Sequence, residues 1–354
     1  MSAKTFVMAG GGSGGHVIPG LAVARELRAR GHSVVFIGTA RGLEAKLVPA
    51  EHFPLELIEI GGLKRVGLKK TLSTLGELPF SIWQASRILG KAKPAAVFSM
   101  GGYAAGPVLL AALWRRIPVV VMEPNAVPGF THRHVARFVA RALVSFESTV
   151  KWFPAGRTEV TGLPVREEFF AVPAKARGRK LTVLITGGSQ GSRTLNRAAE
   201  ASWPLWKGGM VRLIHQTGAA AYEEIAPRFR ASGIDGEVTA FISDMPRAFA
   251  EADLVVSRSG MGAVSELAAA GKPSILVPLP TASDQHQLRN AEAFEKAGAA
   301  RLVLDAEMSG ERLASEVMRM ATEPGLLEKM GAAARGFAKA GAARRAAEVL
   351  ESLG

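Results

Sequence analysis

Apolar residues along this chain fall into two alternating patterns. Short β-branched and aliphatic runs, closed by Gly, Pro or small polar residues, alternate with longer stretches in which apolar positions recur at helical spacing. A first series of short runs lies at 5–9, 34–39, 55–60, 96–100, 119–123 and 143–146, and a second at 181–186, 212–216, 238–242, 254–257, 275–278 and 301–304. Strand and helix in strict alternation predict βαβ units with right-handed crossovers and a parallel sheet. Two such series predict an α/β protein of two Rossmann-like, doubly wound sheets. The expected domains are 1–162 and 163–340, with a last helix at 341–354 able to pack back on the first domain. The hinge is expected at Thr161-Gly162-Leu163-Pro164-Val165, followed by a charged loop at 175–180.

The ends of the predicted strands carry the chemistry. Gly10-Gly11-Gly12-Ser13-Gly14-Gly15-His16 follows the first strand and leads through Pro19 into a helical pattern. Glycines accept positive φ and let an anion approach the backbone, and the following helix points free N–H groups and its positive end into the turn. One such turn is weak evidence, because any tight strand-to-helix turn uses the same residues. This chain repeats it at Ser99-Met100-Gly101-Gly102-Tyr103, at Gly187-Gly188-Ser189-Gln190-Gly191 and at Arg258-Ser259-Gly260-Met261-Gly262. Ligands of open α/β sheets sit beyond the carboxyl ends of the strands. The four turns therefore predict two anion-binding surfaces facing a central cleft, one for a nucleoside diphosphate and one for a second phosphorylated substrate.

Composition narrows the field. A length of 354 residues exceeds one ordinary core, and 48% hydrophobic with 21% charged residues describes a folded globular chain. The absence of cysteine excludes disulfides and thiolate metal sites. Met1-Ser2-Ala3-Lys4 runs straight into the first strand, so no signal peptide is expected, and no apolar run is long enough to span a bilayer. A formal net charge of +13 suits nucleic acid, an anionic membrane surface or phosphorylated substrates, and also plain solubility. With 6% aromatic residues and no recognisable binding module, nucleic acid explains the charge but not the glycine turns.

Part of the charge flanks one apolar stretch. Lys64, Arg65, Lys69 and Lys70 precede a helical pattern through Leu72, Leu75, Leu78, Ile82, Trp83, Ile88 and Leu89, with Arg87, Lys91 and Lys93 near its end. Pro79 is expected to interrupt this helix. Leu78-Pro79-Phe80-Ser81-Ile82-Trp83 offers more bulky apolar surface than one buried stripe requires. Trp beside Lys and Arg suits a bilayer interface, which predicts peripheral docking on an anionic cytoplasmic leaflet without spanning it.

Individual residues remain ambiguous until they are combined. A nicotinamide dinucleotide enzyme would end its second strand in an acid, but here Thr39 follows Gly38. No glycine turn is followed by Gly-Lys-Ser/Thr, which argues against a P-loop. His16, at the mouth of a helix, is either a polar helix-start residue or a general base, since the positive helix end favours the neutral imidazole. Glu266 is either a helix-start acid or a partner for ribose hydroxyls. Arg166 is either a solvated charge or a diphosphate clamp. Asp284-Gln285-His286-Gln287 offers amides suited to sugar hydroxyls. No Asp-x-Asp occurs, so no metal or other cofactor is expected, and a sugar transfer would stabilise its leaving diphosphate with helix N-termini, Ser189 and Arg166.

Taken together, Gly11-Gly12-Ser13-Gly14-Gly15-His16, Met100-Gly101-Gly102-Tyr103, Gly187-Gly188-Ser189-Gln190-Gly191 and Arg258-Ser259-Gly260 with Val264-Ser265-Glu266 resemble the MurG family of peptidoglycan N-acetylglucosaminyltransferases. The resemblance runs from the first strand to the last helices. It implies a GT-B fold with the active site between the domains. It also implies inverting transfer of N-acetylglucosamine from UDP-GlcNAc to the 4-hydroxyl of the muramoyl residue of lipid I, giving lipid II. By that resemblance His16 is the catalytic base, beside Ser13, Gly14 and Gly15. Ser189, Arg166 and the helix start Met261-Gly262-Ala263-Val264-Ser265 face the donor diphosphate, Ile242 meets the uracil through its backbone, and Glu266 meets the ribose. His286 and Gln287, with Asn125 from the first domain, face the sugar. Gly12, Gly101, Gly102 and Tyr103 hold the acceptor. The sequence departs from the family pattern at Leu163, commonly asparagine, and at Met261-Gly262-Ala263, which lacks a usual threonine. The rival readings are a glycosyltransferase for another UDP-sugar and a UDP-GlcNAc 2-epimerase, which shares the two-domain architecture and needs no lipid acceptor.

Overall fold

In the computed structural model, which describes residues 3–60, 68–175, 178–206 and 209–353, the apolar runs form two parallel sheets in two units. One unit is Met1–Pro164 with Lys339–Gly354, the other Val165–Ala338. The first sheet contains β1 (Thr5–Gly10), β2 (Ser33–Gly38), β3 (Leu55–Leu57), β4 (Ala96–Gly101), β5 (Val119–Glu123), β6 (Arg141–Val144) and β7 (Thr158–Val160), in the order β3-β2-β1-β4-β5-β6-β7. The second contains β8 (Leu181–Thr186), β9 (Val211–Gln216), β10 (Gly236–Thr239), β11 (Leu254–Ser257), β12 (Ser274–Leu276) and β13 (Ala300–Leu302), in the order β10-β9-β8-β11-β12-β13. Apart from β7, the two orders are the same. Each reverses direction beside its first strand, between β1 and β4 and between β8 and β11, which is where such sheets bind ligands.

Helices cover both faces of each sheet, so the central strands read as continuous apolar runs rather than alternating ones. Every residue of β4, β5, β8 and β11 is buried. Val7, Val97, Val121 and Leu109 contribute to the core of the first unit, and Val183, Leu213, Val256 and Trp203 to that of the second.

The strands expected at 143–146 and 238–242 lie at Arg141–Val144 and Gly236–Thr239, which leaves Ile242 in the loop after β10, and three further local expectations change. β7 is an additional strand that the hydrophobic pattern did not mark, because it is three residues long with Glu159 at its centre, held by Arg345 at 2.8 and 2.9 Å. β3 ends at Leu57 rather than residue 60, although the Ile58 N–H still donates to Gly38 O at 3.0 Å. Pro79 does not interrupt the helix, which runs from Leu68 to Ala92. Proline removes one helical hydrogen bond, and the next turn is held by Ser81 Oγ against the carbonyls of Glu77 (2.9 Å) and Glu59. Lys64 and Arg65 lie outside the described residues, as do residues 176 and 177 of the charged loop.

The last helix, Ala342–Glu351, packs on the helix Gly14–Ala29 of the first unit. Glu351 fixes it there, accepting from Arg30 Nη1 at 2.9 Å and meeting His32 Nε2 at 2.8 Å, while Lys4 Nζ donates to its carbonyl at 3.1 Å.

Candidate functional site

In the first unit, the turn after β1 depends on Gly12, whose φ of +91° favours glycine. The helix Gly14–Ala29 starts directly after it, and Ser13 at its N-cap position makes no capping bond. Ser13 Oγ instead lies 3.0 Å from His16 Nδ1. This contact sets the chemistry available to His16. With Nδ1–H donating to Ser13, Nε2 carries a lone pair and can accept a proton, and with the opposite tautomer it cannot.

The turn after β4 lies against the turn after β1. Gly101 and Gly102 have φ of +84° and +86°, and a Cβ on Gly102 would sit 2.6 Å from the Gly11 carbonyl. Tyr103 packs its ring on Gly12 and places its hydroxyl 3.0 Å from Thr39 Oγ1. Gly12, Ser13, Gly14, Gly15, His16, Gly101, Gly102 and Tyr103 thus come together at the switch between β1 and β4. Beneath them lies Glu44, 1% exposed, which accepts from Gly12 N–H at 2.8 Å and from Thr39 N–H and Oγ1 at 3.0 and 2.9 Å.

A second buried network supports the same turns. Glu123, at the end of β5, meets His132 Nδ1 at 2.8 Å and accepts from the N–H groups of Asn125 (3.0 Å) and Gly129 (3.1 Å) and from Asn125 Nδ2 (3.0 Å). His132 Nε2 meets Ser99 Oγ at 3.2 Å, and that hydroxyl accepts from Gly101 N–H at 3.0 Å. Burial alone would raise the Glu123 pKa, but the hydrogen bond and charge of His132 with the two backbone donors more than offset it and leave the pKa lowered. Asn125 is therefore oriented by Glu123.

In the second unit, Ser189 is exposed in the turn after β8. Gln216 ends β9 beneath that turn, 1% exposed, donating from Nε2 to Gly188 O at 2.9 Å and Thr186 Oγ1 at 3.2 Å. Its Oε1 accepts from Ile242 N–H at 2.8 Å, which ties the loop after β10 to the turn after β8. A Cβ on Gly191 would lie 1.9 Å from Thr217 O, and one on Gly218 2.4 Å from Gln190 O, so two glycines are required for backbone to meet backbone here. Arg258, just past β11, binds Asp305, Ser192 Oγ (2.7 Å) and the carbonyls of Val277 (3.1 Å) and Pro278 (3.2 Å), tying together the segments that follow β8, β11, β12 and β13.

The helix Met261–Ala270 begins after Gly260, which offers no side-chain cap, and no acid occupies its first turn. The N–H groups of Met261, Gly262 and Ala263 are the open end of this helix. Met261 and Val264 bury their side chains, whereas Gly262 is exposed and Ser265 half-buried. Glu266 lies one turn further. Among the described residues no ion pair or hydrogen bond holds its carboxylate, and burial pushes its pKa up to about 7 against the opposing pull of Arg166. Arg166 itself is exposed, its guanidinium 5.0 Å from the Phe169 ring. Gln287 accepts from Leu279 N–H at 2.9 Å through Oε1, leaving its amide NH₂ on the side of Gly260. His286 Nδ1–H donates to Ser283 O at 2.5 Å, behind two consecutive residues, Asp284 and Gln285, at φ of +52° and +53°. Non-glycine residues in the left-handed region are strained, and such strain concentrates at functional turns.

Glu44, Glu123 with His132, Gln216 and Arg258 with Asp305 were not among the sequence-derived site residues. Of these, Arg258 alone lay in a stretch that the glycine turns made conspicuous.

Residues 6–144 match the glycosyltransferase family 28 N-terminal domain, and residues 182–348 match the C-terminal domain of that family. The chain is 62% identical over 354 residues to the UDP-N-acetylglucosamine–N-acetylmuramyl-(pentapeptide) pyrophosphoryl-undecaprenol N-acetylglucosamine transferase of Solibacter usitatus, covering 99% of this chain and 97% of that protein. It is 43% identical to the protein of the same description from Azotobacter vinelandii, covering 99% and 98%. Among solved structures, MurG of Acinetobacter baumannii superposes with a TM-score of 0.83 at 31% identity, covering 99% of both chains.

Proposed function

The chain belongs to glycosyltransferase family 28, and on that premise we propose that it transfers N-acetylglucosamine from UDP-GlcNAc to the muramoyl 4-hydroxyl of an undecaprenyl-diphosphate-linked acceptor, converting lipid I to lipid II. The observation that carries this reading is identity of 62% over 99% of the chain to a protein described by that activity. In this reading the acceptor hydroxyl gives its proton to His16 Nε2 as its oxygen bonds to C1 of the sugar. The bond from C1 to the diphosphate breaks on the opposite face, and the configuration inverts. Negative charge then grows on the leaving UDP. The uncapped helix start Met261-Gly262-Ala263 suits that charge, with Ser189 and Arg166 as further donors. Glu266 receives the ribose hydroxyls, the Ile242 backbone meets the uracil, and His286, Gln287 and Asn125 meet the sugar. Gly12, Gly101, Gly102 and Tyr103 hold the acceptor.

Incubation with labelled UDP-GlcNAc and a short-chain lipid I analogue tests the reaction, the expected product being the lipid-linked disaccharide. Consumption of UDP-GlcNAc without acceptor, giving an epimerised sugar, would replace this reading with a 2-epimerase.

The acceptor's lipid tail requires the first unit to reach a membrane, and the helix Leu68–Ala92 is the element suited to dock it on the cytoplasmic leaflet. Phe80 and Trp83 are half exposed, their rings stacked at 5.6 Å, with Arg87 4.9 Å from the Trp83 ring. The adjoining helix Ala105–Trp114 ends in Trp114, 76% exposed, beside Arg115, which reaches back to Ser86 Oγ at 3.1 Å. Ile82 packs toward the core, so it is Phe80 and Trp83 that a bilayer would receive. No helix among the described residues is long and apolar enough to cross a membrane. Basic residues at an anionic surface contribute about 1 kcal/mol each. Sedimentation with anionic vesicles should exceed that with neutral ones, fall at high salt, and be lost when Phe80 and Trp83 become Ser. Equal sedimentation with both lipid types, or full retention in that variant, would reject the docking.

A further inference from the structure

We propose that Glu44 is a positioning residue for the candidate base, setting the turn after β1 so that His16 meets the acceptor hydroxyl at a fixed place. The proposal rests on the reading of His16 as the base.

Glu44 opens the helix Glu44–Ala50, beyond the end of β2. At 1% exposure it is a buried acid with no cation beside it among the described residues; its partners are the hydrogen-bond donors of Gly12 and Thr39. Oε2 takes the Gly12 N–H at 2.8 Å, and Oε1 takes both the N–H and the hydroxyl of Thr39. Since the Thr39 proton goes to Glu44, the Tyr103 hydroxyl donates to Thr39 Oγ1 at 3.0 Å. One carboxylate therefore joins the turn after β1, the end of β2 and the turn after β4.

The surrounding glycines fit this role. A Cβ on Gly11, Gly38 or Gly42 would fall 2.3, 2.5 or 2.0 Å from the nearest Glu44 side-chain atom, so all three positions must lack one for the carboxylate to enter. A buried acid costs free energy unless its hydrogen bonds are made, and a hydrophobic residue would fill such a space without that cost. What the acid supplies is a fixed orientation for the Gly12 peptide, one residue before Ser13, whose Oγ meets His16. The amide of Gly12 is occupied by Glu44, so its part toward an acceptor is played by shape and not by that N–H.

Glu44→Gln separates these contacts. The amide oxygen can still accept from Thr39, but the NH₂ then faces the Gly12 N–H, donor against donor. Displacement of the turn by about 1 Å would lower turnover on the order of 10²-fold. We expect Glu44→Gln to reduce kcat by roughly 10- to 100-fold. UDP affinity by calorimetry should stay unchanged, and amide hydrogen exchange should quicken in peptides covering residues 10–17. His16→Ala, made in parallel, should reduce kcat by about 10²–10⁴. A large loss in His16→Ala with wild-type kcat and exchange in Glu44→Gln overturns the proposal. Wild-type kcat in His16→Ala removes the base reading instead. Should Glu44→Gln fail to fold, Thr39→Val removes the hydroxyl that braces Glu44 and Tyr103 and keeps the Gly12 bond. A several-fold loss of kcat in that variant supports the bracing, and unchanged kcat refutes it.

Discussion

Glu123 is buried at the end of β5 and Glu266 half-buried in the helix after β11, yet their protons behave in opposite ways. Glu123 is met by His132 and by the N–H groups of Asn125 and Gly129, and its pKa is lowered. Glu266 has no hydrogen-bond partner among the described residues, and burial raises its pKa to about 7. The difference separates two uses of a buried acid. A carboxylate surrounded by donors has spent its acceptor capacity on its own chain and can only position other groups. A carboxylate left without donors is costly to keep ionised, and that cost is recovered when a ligand brings hydroxyls to it. Glu44 belongs with Glu123. The same contrast holds between the turns themselves: buried acids brace those of the first unit, while the neutral amide of Gln216 braces the turn after β8, where a diphosphate is proposed to sit.

The largest effect expected from this contrast is on stability. Glu123→Ala strands His132 Nδ1 and two backbone donors in the core and should destabilise the protein by about 3–5 kcal/mol at pH 8. Glu266→Gln removes an ionised group that the fold does not satisfy and should be neutral or stabilising at that pH. The pH dependence follows from the signs. Glu123, its folded pKa below its ordinary value of 4.5, contributes stability that is present above 4.5 and lost as pH falls through the folded pKa. Glu266, raised from 4.5 to about 7, contributes stability present below 4.5 and lost as pH rises through about 7. Chemical denaturation of both variants at pH 8 checks this. A cost for Glu123→Ala no larger than the ~0.5 kcal/mol of a surface change would erase the distinction.

The next effect is on donor binding. Glu266→Ala loses charge-assisted hydrogen bonds of roughly 1.5–3 kcal/mol and should weaken UDP binding by about one to two orders of magnitude. Glu123→Ala, where it folds, should leave UDP affinity within a few-fold of wild type, since its partners belong to the first unit. Calorimetric titration of both variants with UDP tests the pairing, and unchanged affinity in Glu266→Ala would remove that residue from the nucleotide site.

This contrast was half legible in the sequence. Glu266 stood out because it follows a glycine turn and lies a turn into the helix after it, features encoded within ten residues of chain. Glu44 and Glu123 carry no local mark. Thr39 lies near Glu44 and His132 near Glu123 in the chain, but Gly12 and Ser99, which the two acids brace, lie on or beside other strands, so the sheet order that sets β1 beside β2 and β4 beside β5 reveals their role. The parallel sheets were legible for the opposite reason, since doubly covered strands leave uninterrupted apolar runs. β7 escaped because Thr158-Glu159-Val160 holds one strongly apolar residue, whereas β3, as short and also centred on an acid, sits in the longer alternating run at 55–60.

The smallest expected effect is the most specific to Glu266. In the free protein its carboxyl titrates near 7, because burial outweighs the pull of Arg166. Ribose hydroxyls donate to the ionised form, so a bound nucleotide lowers that pKa and binding releases a proton. Affinity for UDP-GlcNAc should therefore be level above pH 8 and weaken below 7, by at most tenfold per pH unit for one proton. UDP-GlcNAc is the ligand to use, since its diphosphate is a diester without a group titrating near neutrality. Glu266→Gln keeps a side chain that can accept from a hydroxyl but has no proton to exchange, and should bind with little pH dependence over the same range. Arg166→Ala removes the opposing charge and should move the midpoint upward. Equal slopes in wild type and Glu266→Gln would assign the pH dependence elsewhere and leave Glu266 as a half-buried acid without the role proposed for it.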